Sequence, residues 1–401
     1  MSKEPIIVVG GGLGGAMAAL ALGKKGLDVL LLEEAEEFGV IGYGIQLGPN
    51  VFWMLDRLGV SEAVLATAIR PKALVMRDWV DGGVMTRIPT GESFVKRFGK
   101  PYVVIHRVDL HKVLLDACRA LPNVQMLANA AVTAFEDMGD RVRVEIADGR
   151  HYDGAALIGA DGIRSTIRQL MRDEGPPRTV GYVAHRTIVP MSDVKFDVDT
   201  EDVVMWSGDG FHIVHYPLRD FSLFNVVTVF KTLDMEPTDT DSPHPDLAHV
   251  YRDSHPTMKK LWAMMDLSRR GWVSSDRDPI RHWSRGRVTL VGDAAHPTLQ
   301  SLAQGACMAI EDAVCLAHLL EGTSGEKVEQ AFQQYVNARY LRTARVQYES
   351  RYLWDNFYHL GGLEREVARE IWQGKSEQQM FECVAWLYDG FQLPHSMTPK
   401  T

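Results

Sequence analysis

Ile6-Ile7-Val8-Val9-Gly10-Gly11-Gly12-Leu13-Gly14-Gly15 is an apolar run that stops at a glycine cluster. Gly10, Gly12 and Gly15 give the spacing G-x-G-x-x-G. Ala16 to Leu22 reads as a helix, and Leu27 to Leu32 as a second apolar run ending at Glu33. The order is strand, tight turn, helix, strand, acid. In such a unit the first glycine permits the turn, the second lets the backbone approach a pyrophosphate, and the third lets helix and strand pack closely. The phosphates sit at the positive end of the helix, which puts Leu13, in its first turn, among the expected cofactor contacts. Glu33, 18 residues after Gly15, is placed to accept hydrogen bonds from a ribose. The pattern predicts a dinucleotide site without saying which dinucleotide.

The 401 residues suffice for one large or two interleaved domains with ample core. A hydrophobic content of 46% with 24% charged residues is that of a soluble globular chain. A net charge of −9 gives no support to a nucleic-acid partner. Pro5 to Gly23 carries no charge over 19 residues, close to a membrane span in length. Six glycines interrupt it and no basic segment or cleavage site frames it, so neither a transmembrane segment nor a signal peptide is expected. Cys118, Cys307, Cys315 and Cys383 form no C-x-x-C and no metal-ligand spacing. Buried free thiols in a reducing cytoplasm, and no metal, are the expectation.

Along the chain, residues 1–70 read as a βαβ unit, a glycine-dense loop from Gly39 and a helix capped at Asn50. Residues 71–105 alternate as short strands, and His106-Arg107 opens a helix to about Ala120. Ala155 to Ala160 is an apolar strand that stops at Asp161-Gly162. Runs such as Asp202–Trp206, Phe211–Pro217 and Phe224–Val229 then point to an antiparallel sheet. Arg287 to Val291 returns to the first pattern and stops at Gly292-Asp293, with a helix from about Gly305 to Leu320. We therefore expect an α/β protein with a discontinuous dinucleotide domain, 1–177 and 276–325. A substrate-binding sheet domain is expected over 178–275 and a helical segment over 326–401. Ligands in open α/β sheets bind beyond the carboxyl ends of strands, so the three glycine–acid stops converge on one long cofactor. Each Asp has a second reading as a helix cap.

The combination of Gly10–Gly15, Ala160-Asp161-Gly162-Ile163-Arg164-Ser165 and Gly292-Asp293-Ala294-Ala295-His296-Pro297 resembles the single-component, FAD-dependent aromatic hydroxylases over residues 5–345. The resemblance implies the para-hydroxybenzoate hydroxylase fold, an FAD-binding Rossmann-like domain with an inserted antiparallel sheet and a helical C-terminal part. It implies bound FAD, transient NADH or NADPH, and O2 reacting through a C4a-hydroperoxide. By similarity, Glu33 holds the adenosine ribose, Arg107 and Asp293 reach the ribityl–pyrophosphate region, and Gly10, Gly12, Leu13, Gly15, Gln46 and Asp161 join the cofactor site. The helix starting at Gly305 aims its N-terminus at the flavin pyrimidine, where a helix N-terminus favours the anion of reduced flavin.

Gly210-Phe211-His212-Ile213-Val214-His215-Tyr216-Pro217 carries the substrate expectation. Side chains two apart share a strand face, so His212, Val214 and Tyr216 line one face, and Ile213 and His215 the other. The first face reads as the wall of a phenol pocket or as an ordinary sheet face. Gln300 and Gln304 can orient a phenol or carboxylate, or hold their loop. His212, Tyr216 and Gln300 together resemble the branch of the family that hydroxylates 3-hydroxybenzoate to 2,5-dihydroxybenzoate. In that branch the matching residues serve the substrate phenol, so His212, Tyr216 and Gln300 are the expected catalytic set. Branches acting on salicylate or 6-hydroxynicotinate are the alternatives. The latter typically carry a His where Gln46 stands and lack an equivalent of Gln300. Tyr43 replaces the small residue usual between Gly42 and Gly44. His296 follows a turn and reads as structural. The aromatics Tyr348, Tyr352, Trp354 and Tyr358 pack on the core or on the second subunit of a homodimer.

Overall fold

The computed structural model describes residues 4–39, 42–231, 254–266, 271–325 and 327–395. Two sheets organise it. The first follows from the apolar runs and has six strands, ordered 284–285, 288–290, 156–159, 6–9, 29–32 and 124–127. All pair in parallel except the first two. Strands buried on both faces are continuous hydrophobic runs rather than alternating ones, as Ile6–Val9, Val29–Leu32 and Ala156–Gly159 are. The helix Leu13–Lys24 lies between this sheet and the helix Gly305–Leu320 and is buried from Leu13 to Gly23 apart from Gly14. A helix apolar on every side belongs in a core, which accounts for the uncharged stretch. Among the described residues no helix is long and apolar enough to cross a membrane.

The second sheet has seven strands, in the order 272–276, 178–190, 223–231, 211–218, 203–208, 73–78 and 84–89. It is antiparallel except where Val203–Ser207 runs alongside Leu74–Asp78. The sheet therefore draws two strands from residues 73–89 as well as those within 178–276. Part of the 178–275 segment, 232–253 and 267–270, lies outside the described residues.

Two local expectations are corrected. Glu92–Phe98 is a helix, not part of a strand run. Phe94 and Phe98, four apart, bury one face of it, and Gly99 closes it in the left-handed conformation at φ 73°. The helix expected to start at an Asn50 cap starts instead at Pro49, with Gly48 at the cap. Proline at the first helical position is preorganised for that start, and Asn50 turns inward. Of the four cysteines, Cys118, Cys307 and Cys315 are buried and Cys383 is exposed.

Candidate active site

The glycine turn has the geometry that its residue types require. Gly10 adopts φ +102°, and a Cβ there would stand 2.6 Å from the Ala160 carbonyl oxygen. A Cβ at Gly15 would collide with the Gly10 carbonyl. A Cβ at Gly12, by contrast, meets nothing within 4 Å. The turn is thus closed on the protein side and open at the second glycine, where the helix Leu13–Lys24 begins without a side-chain cap. Leu13 is buried, so what it offers a ligand is backbone. Gly11 is pinned from both sides. Its N–H donates to Glu33 Oε2 at 2.5 Å, and its carbonyl accepts from His111 Nε2 at 2.7 Å. Glu33 Oε1 also accepts from the Ala35 N–H at 3.0 Å, so Glu33 shapes the turn and retains further acceptor positions.

Beyond the turn, Arg107 opens the helix Arg107–Arg119 and Asp293 sits in a short turn after the strand Val288–Leu290. Neither side chain has a hydrogen-bond or ion-pair partner among the described residues. Burial pushes the Arg107 guanidinium down and Asp293 opposes it. Burial pushes the Asp293 carboxyl up, against His296 and Arg107. Gly305 is close by, its hypothetical Cβ 3.7 Å from Asp293 Oδ1, and the helix it opens has no side-chain cap. Ala303, just before it, is held in the left-handed region at φ 53°, strain of the kind that clusters at ligand sites. An open glycine turn, an unpaired cation, an unpaired carboxylate and a free helix N-terminus fit a pyrophosphate joined to a hydroxyl-bearing chain. Asp161 is engaged differently. Its Oδ1 accepts from Ser165 Oγ at 2.5 Å and its Oδ2 from the Ile167 N–H at 3.0 Å, at the start of the helix Thr166–Met171. The cap residue of that helix is Ser165, whose Oγ accepts from the Arg168 N–H at 2.9 Å, and Asp161 supports it from outside.

A cavity of about 600 Å³ runs from Asp293 and Gly305 to the second sheet. It brings His212, Tyr216 and Gln300 together, with Gln46 and Val214. Ile213 packs on the opposite face, in the core with Val75 and Val226, and His215 accepts from Trp206 Nε1 at 3.2 Å on that side. Tyr216 lies against Gly44, whose missing side chain makes room for the phenol ring. Its hydroxyl has no partner among the described residues, and burial pushes its pKa up. Gln46 accepts from the Tyr102 hydroxyl at 2.5 Å.

His212 is 1% exposed, and burial, reinforced by His359, holds it well below the usual histidine range. Its Nδ1 lies 2.8 Å from His359 Nε2, and Nε2 has no partner among the described residues. His296, by contrast, bonds Asp312 through Nε2 at 2.6 Å, within the protein and in keeping with its structural reading. Trp354 and Tyr358 pack beside His212, while Tyr348 and Tyr352 are exposed.

Arg186 is a site residue that the sequence reading missed. It lines the cavity from the strand Arg178–Pro190, and its Nη2 donates to Gln300 Oε1 at 3.1 Å. No carboxylate pairs with it among the described residues, and burial pushes its guanidinium down. Its face carries Tyr43 at 5.9 Å, and Tyr43 meets Trp272 edge-on. The available signal was an arginine in mid-strand, between His185 and Thr187, both of which are buried.

The chain matches the FAD binding domain family over residues 3–350. It is 40% identical to 3-hydroxybenzoate 6-hydroxylase of Polaromonas naphthalenivorans strain CJ2 over 385 residues, covering 96% of this chain and 95% of that enzyme. It is 36% identical to 6-hydroxynicotinate 3-monooxygenase of Pseudomonas fluorescens, over 86% of this chain and 90% of that enzyme. Its fold is similar to that of Klebsiella pneumoniae HpxO complexed with FAD and uric acid, with a TM-score of 0.84 at 25% identity over 96% of each chain. By sequence and by fold, the chain belongs to the FAD-dependent aromatic hydroxylases, flavoprotein monooxygenases of the para-hydroxybenzoate hydroxylase type.

Proposed function

We propose that the protein hydroxylates 3-hydroxybenzoate at the carbon para to its phenol, giving 2,5-dihydroxybenzoate. Bound FAD, reduced by NADH or NADPH, supplies the activated oxygen: one atom of O2 enters the ring and the other leaves as water. Glu33, Arg107, Asp293 and the open turn at Gly12 are the groups that would hold it. The observation that carries the reading is the convergence of a histidine with one open nitrogen, a free phenol, an amide and an unpaired guanidinium on one cavity.

Each group then has one task. Arg186 takes the substrate carboxylate, a charge-assisted contact suited to its fork of donors. Gln300, its oxygen engaged by Arg186, turns its amide N–H groups to the substrate. His212 Nε2 accepts the phenolic proton, with Tyr216 beside it, a general-base role. The electron pair left on oxygen enriches the para carbon, which is where the new C–O bond forms and from which a proton is lost. Met76, Met205 and Val214 line the cavity with apolar surface, which keeps water from the reacting atoms. The reductant favours a cytoplasmic enzyme. Leu363, Val367 and Ile371, exposed along one side of the helix Gly362–Gln373, favour pairing with a second copy.

The test is NADH and NADPH oxidation, O2 uptake and product analysis against 3-hydroxybenzoate, salicylate and 6-hydroxynicotinate. Near-stoichiometric 2,5-dihydroxybenzoate from the first is expected. Coupled turnover on either of the others, or hydrogen peroxide alone from all three, would overturn the assignment.

A further inference from the structure

The long helix Lys327–Leu353 does not end as an α-helix. It passes into a five-residue π-helical turn, Trp354–Tyr358, and His359 follows directly. Such turns are rare and concentrate at functional sites. This one is fastened over the aromatic cavity at three points. Trp354 is 1% exposed. Ser207 Oγ reaches the carbonyls of Phe357 and Tyr358 at 3.2 and 2.9 Å, and Ser207 is the cross-strand partner of His212. The Tyr358 hydroxyl donates to the Ser301 carbonyl at 2.5 Å, beside Gln300.

The hydrogen bonds of His359 decide its own tautomer. Its Nδ1 lies 2.9 Å from the Trp354 carbonyl oxygen, which can only accept, so Nδ1 carries the proton. Burial holds His359 neutral, down at about 4, so its Nε2 is a lone pair. The His212 Nδ1 that faces it at 2.8 Å must then be the donor. A neutral His212 with its proton on Nδ1 has a bare Nε2. Tyr182 stacks on the His359 ring at 4.4 Å and Trp354 meets it edge-on at 4.8 Å, which keeps the ring from turning.

We propose that His359 is a positioning residue that holds His212 in the tautomer whose Nε2 lone pair is free for the phenol, so that the C-terminal segment completes the active site. The proposal rests on the reading of His212 as the base. When the phenolic proton moves to His212 Nε2, the Nδ1 proton stays between the two rings, and His359 Nε2 goes on accepting it.

Two variants and one spectrum test it. His359→Leu removes the acceptor, and His359→Gln keeps one where Nε2 stands. The leucine variant is expected to bind FAD normally, keep KM within about threefold, and lose about 10–100-fold in hydroxylation kcat, with NADH diverted to hydrogen peroxide. The glutamine variant is expected to recover most of that loss. Equal loss in both would mean packing alone, and an unimpaired leucine variant would end the proposal outright. Nitrogen-15 NMR of the histidine-labelled holoenzyme, assigned by difference against His212→Gln, needs no His359 variant to fold. It is expected to show His212 protonated at Nδ1 and bare at Nε2, and the opposite tautomer would overturn the proposal. His212→Ala separates the two readings. If it turns over fully, the base assignment itself is wrong. If it is inactive while His359→Leu is not, only the positioning role is lost.

Discussion

Two buried histidines, His296 and His212, have opposite surroundings. His296 faces a carboxylate, Asp312, which also accepts from the Gly292 N–H at 3.0 Å and Arg339 Nε at 2.7 Å. The adjoining Glu311 accepts from Arg339 Nη1 at 2.5 Å, Arg342 Nε at 2.8 Å and Asn50 Nδ2 at 2.9 Å. Every charge there is met, and burial of the Asp312 carboxyl is outweighed by His296 and Arg339, which hold it well below the usual range. His212 faces only a neutral ring, and its chain of hydrogen bonds ends on a backbone carbonyl with one nitrogen left over. A filled set of partners makes a strut, which here ties the turn at Gly292 to the helices Gly305–Leu320 and Lys327–Leu353. A set left one short makes a place for a ligand.

The largest effect expected is on the strut. Arg339→Leu leaves Glu311 and Asp312 buried without their shared cation, and breaking a buried pair costs about 3–5 kcal/mol. Denaturant unfolding should show that loss, with poor FAD retention. A shift below 1 kcal/mol would mean that the network is not structural. His212→Ala should do the reverse: near-normal stability and flavin content, with hydroxylation down about 10²–10³-fold and peroxide released instead. Arg186→Gln comes next. Losing a charge-assisted hydrogen bond costs about 1.5–3 kcal/mol, so kcat/KM for 3-hydroxybenzoate should fall about 10–100-fold, while the neutral 3-hydroxybenzamide changes little. Equal losses for both ligands would move Arg186 from the carboxylate to the flavin.

The same division separates what was legible in the sequence. The glycine turn is built from backbone, and backbone requirements are written locally. Gly10, Gly12 and Gly15 stand within six residues, and the helices Arg107–Arg119 and Gly305–Leu320 begin where their motifs begin. The aromatic cavity is built from single side chains on distant segments. His212 and Tyr216 were readable because strand alternation puts them on one face. Arg186 and His359 were not, because each meets its partner, Gln300 or His212, across a long separation in sequence. The strand 178–190 pairs with 223–231, and the π-helical turn has no periodic signature. Asn50 misled for the opposite reason. It is a residue type that suits a helix cap, but a buried carboxylate took it as a donor.

The smallest expected effect tests the comparison through protons. His215 sits at about 3 and His359 at about 4, both lowered by burial first, and His212 is lowered well below 6.5 as well. In the unfolded chain these rings protonate as the pH falls through about 6.5, and in the folded protein they do not. The unfolded state therefore binds more protons below that value. Stability is lost as the pH falls from about 6.5 and stops falling once the folded values are passed. Asp312 is shifted in the same direction for a different reason, since His296 and Arg339 favour its charged form. Its stabilisation is complete above 3.8 and is lost only below it, so the strut fails in a separate, more acidic window. Each histidine that stays neutral contributes about 1.4 kcal/mol per pH unit to the slope. His212→Ala in the FAD-saturated protein should flatten the stability curve between pH 6.5 and 5 by that amount. An unaltered slope would mean that His212 already carries its proton in the folded protein, and a protonated ring cannot accept one from a phenol.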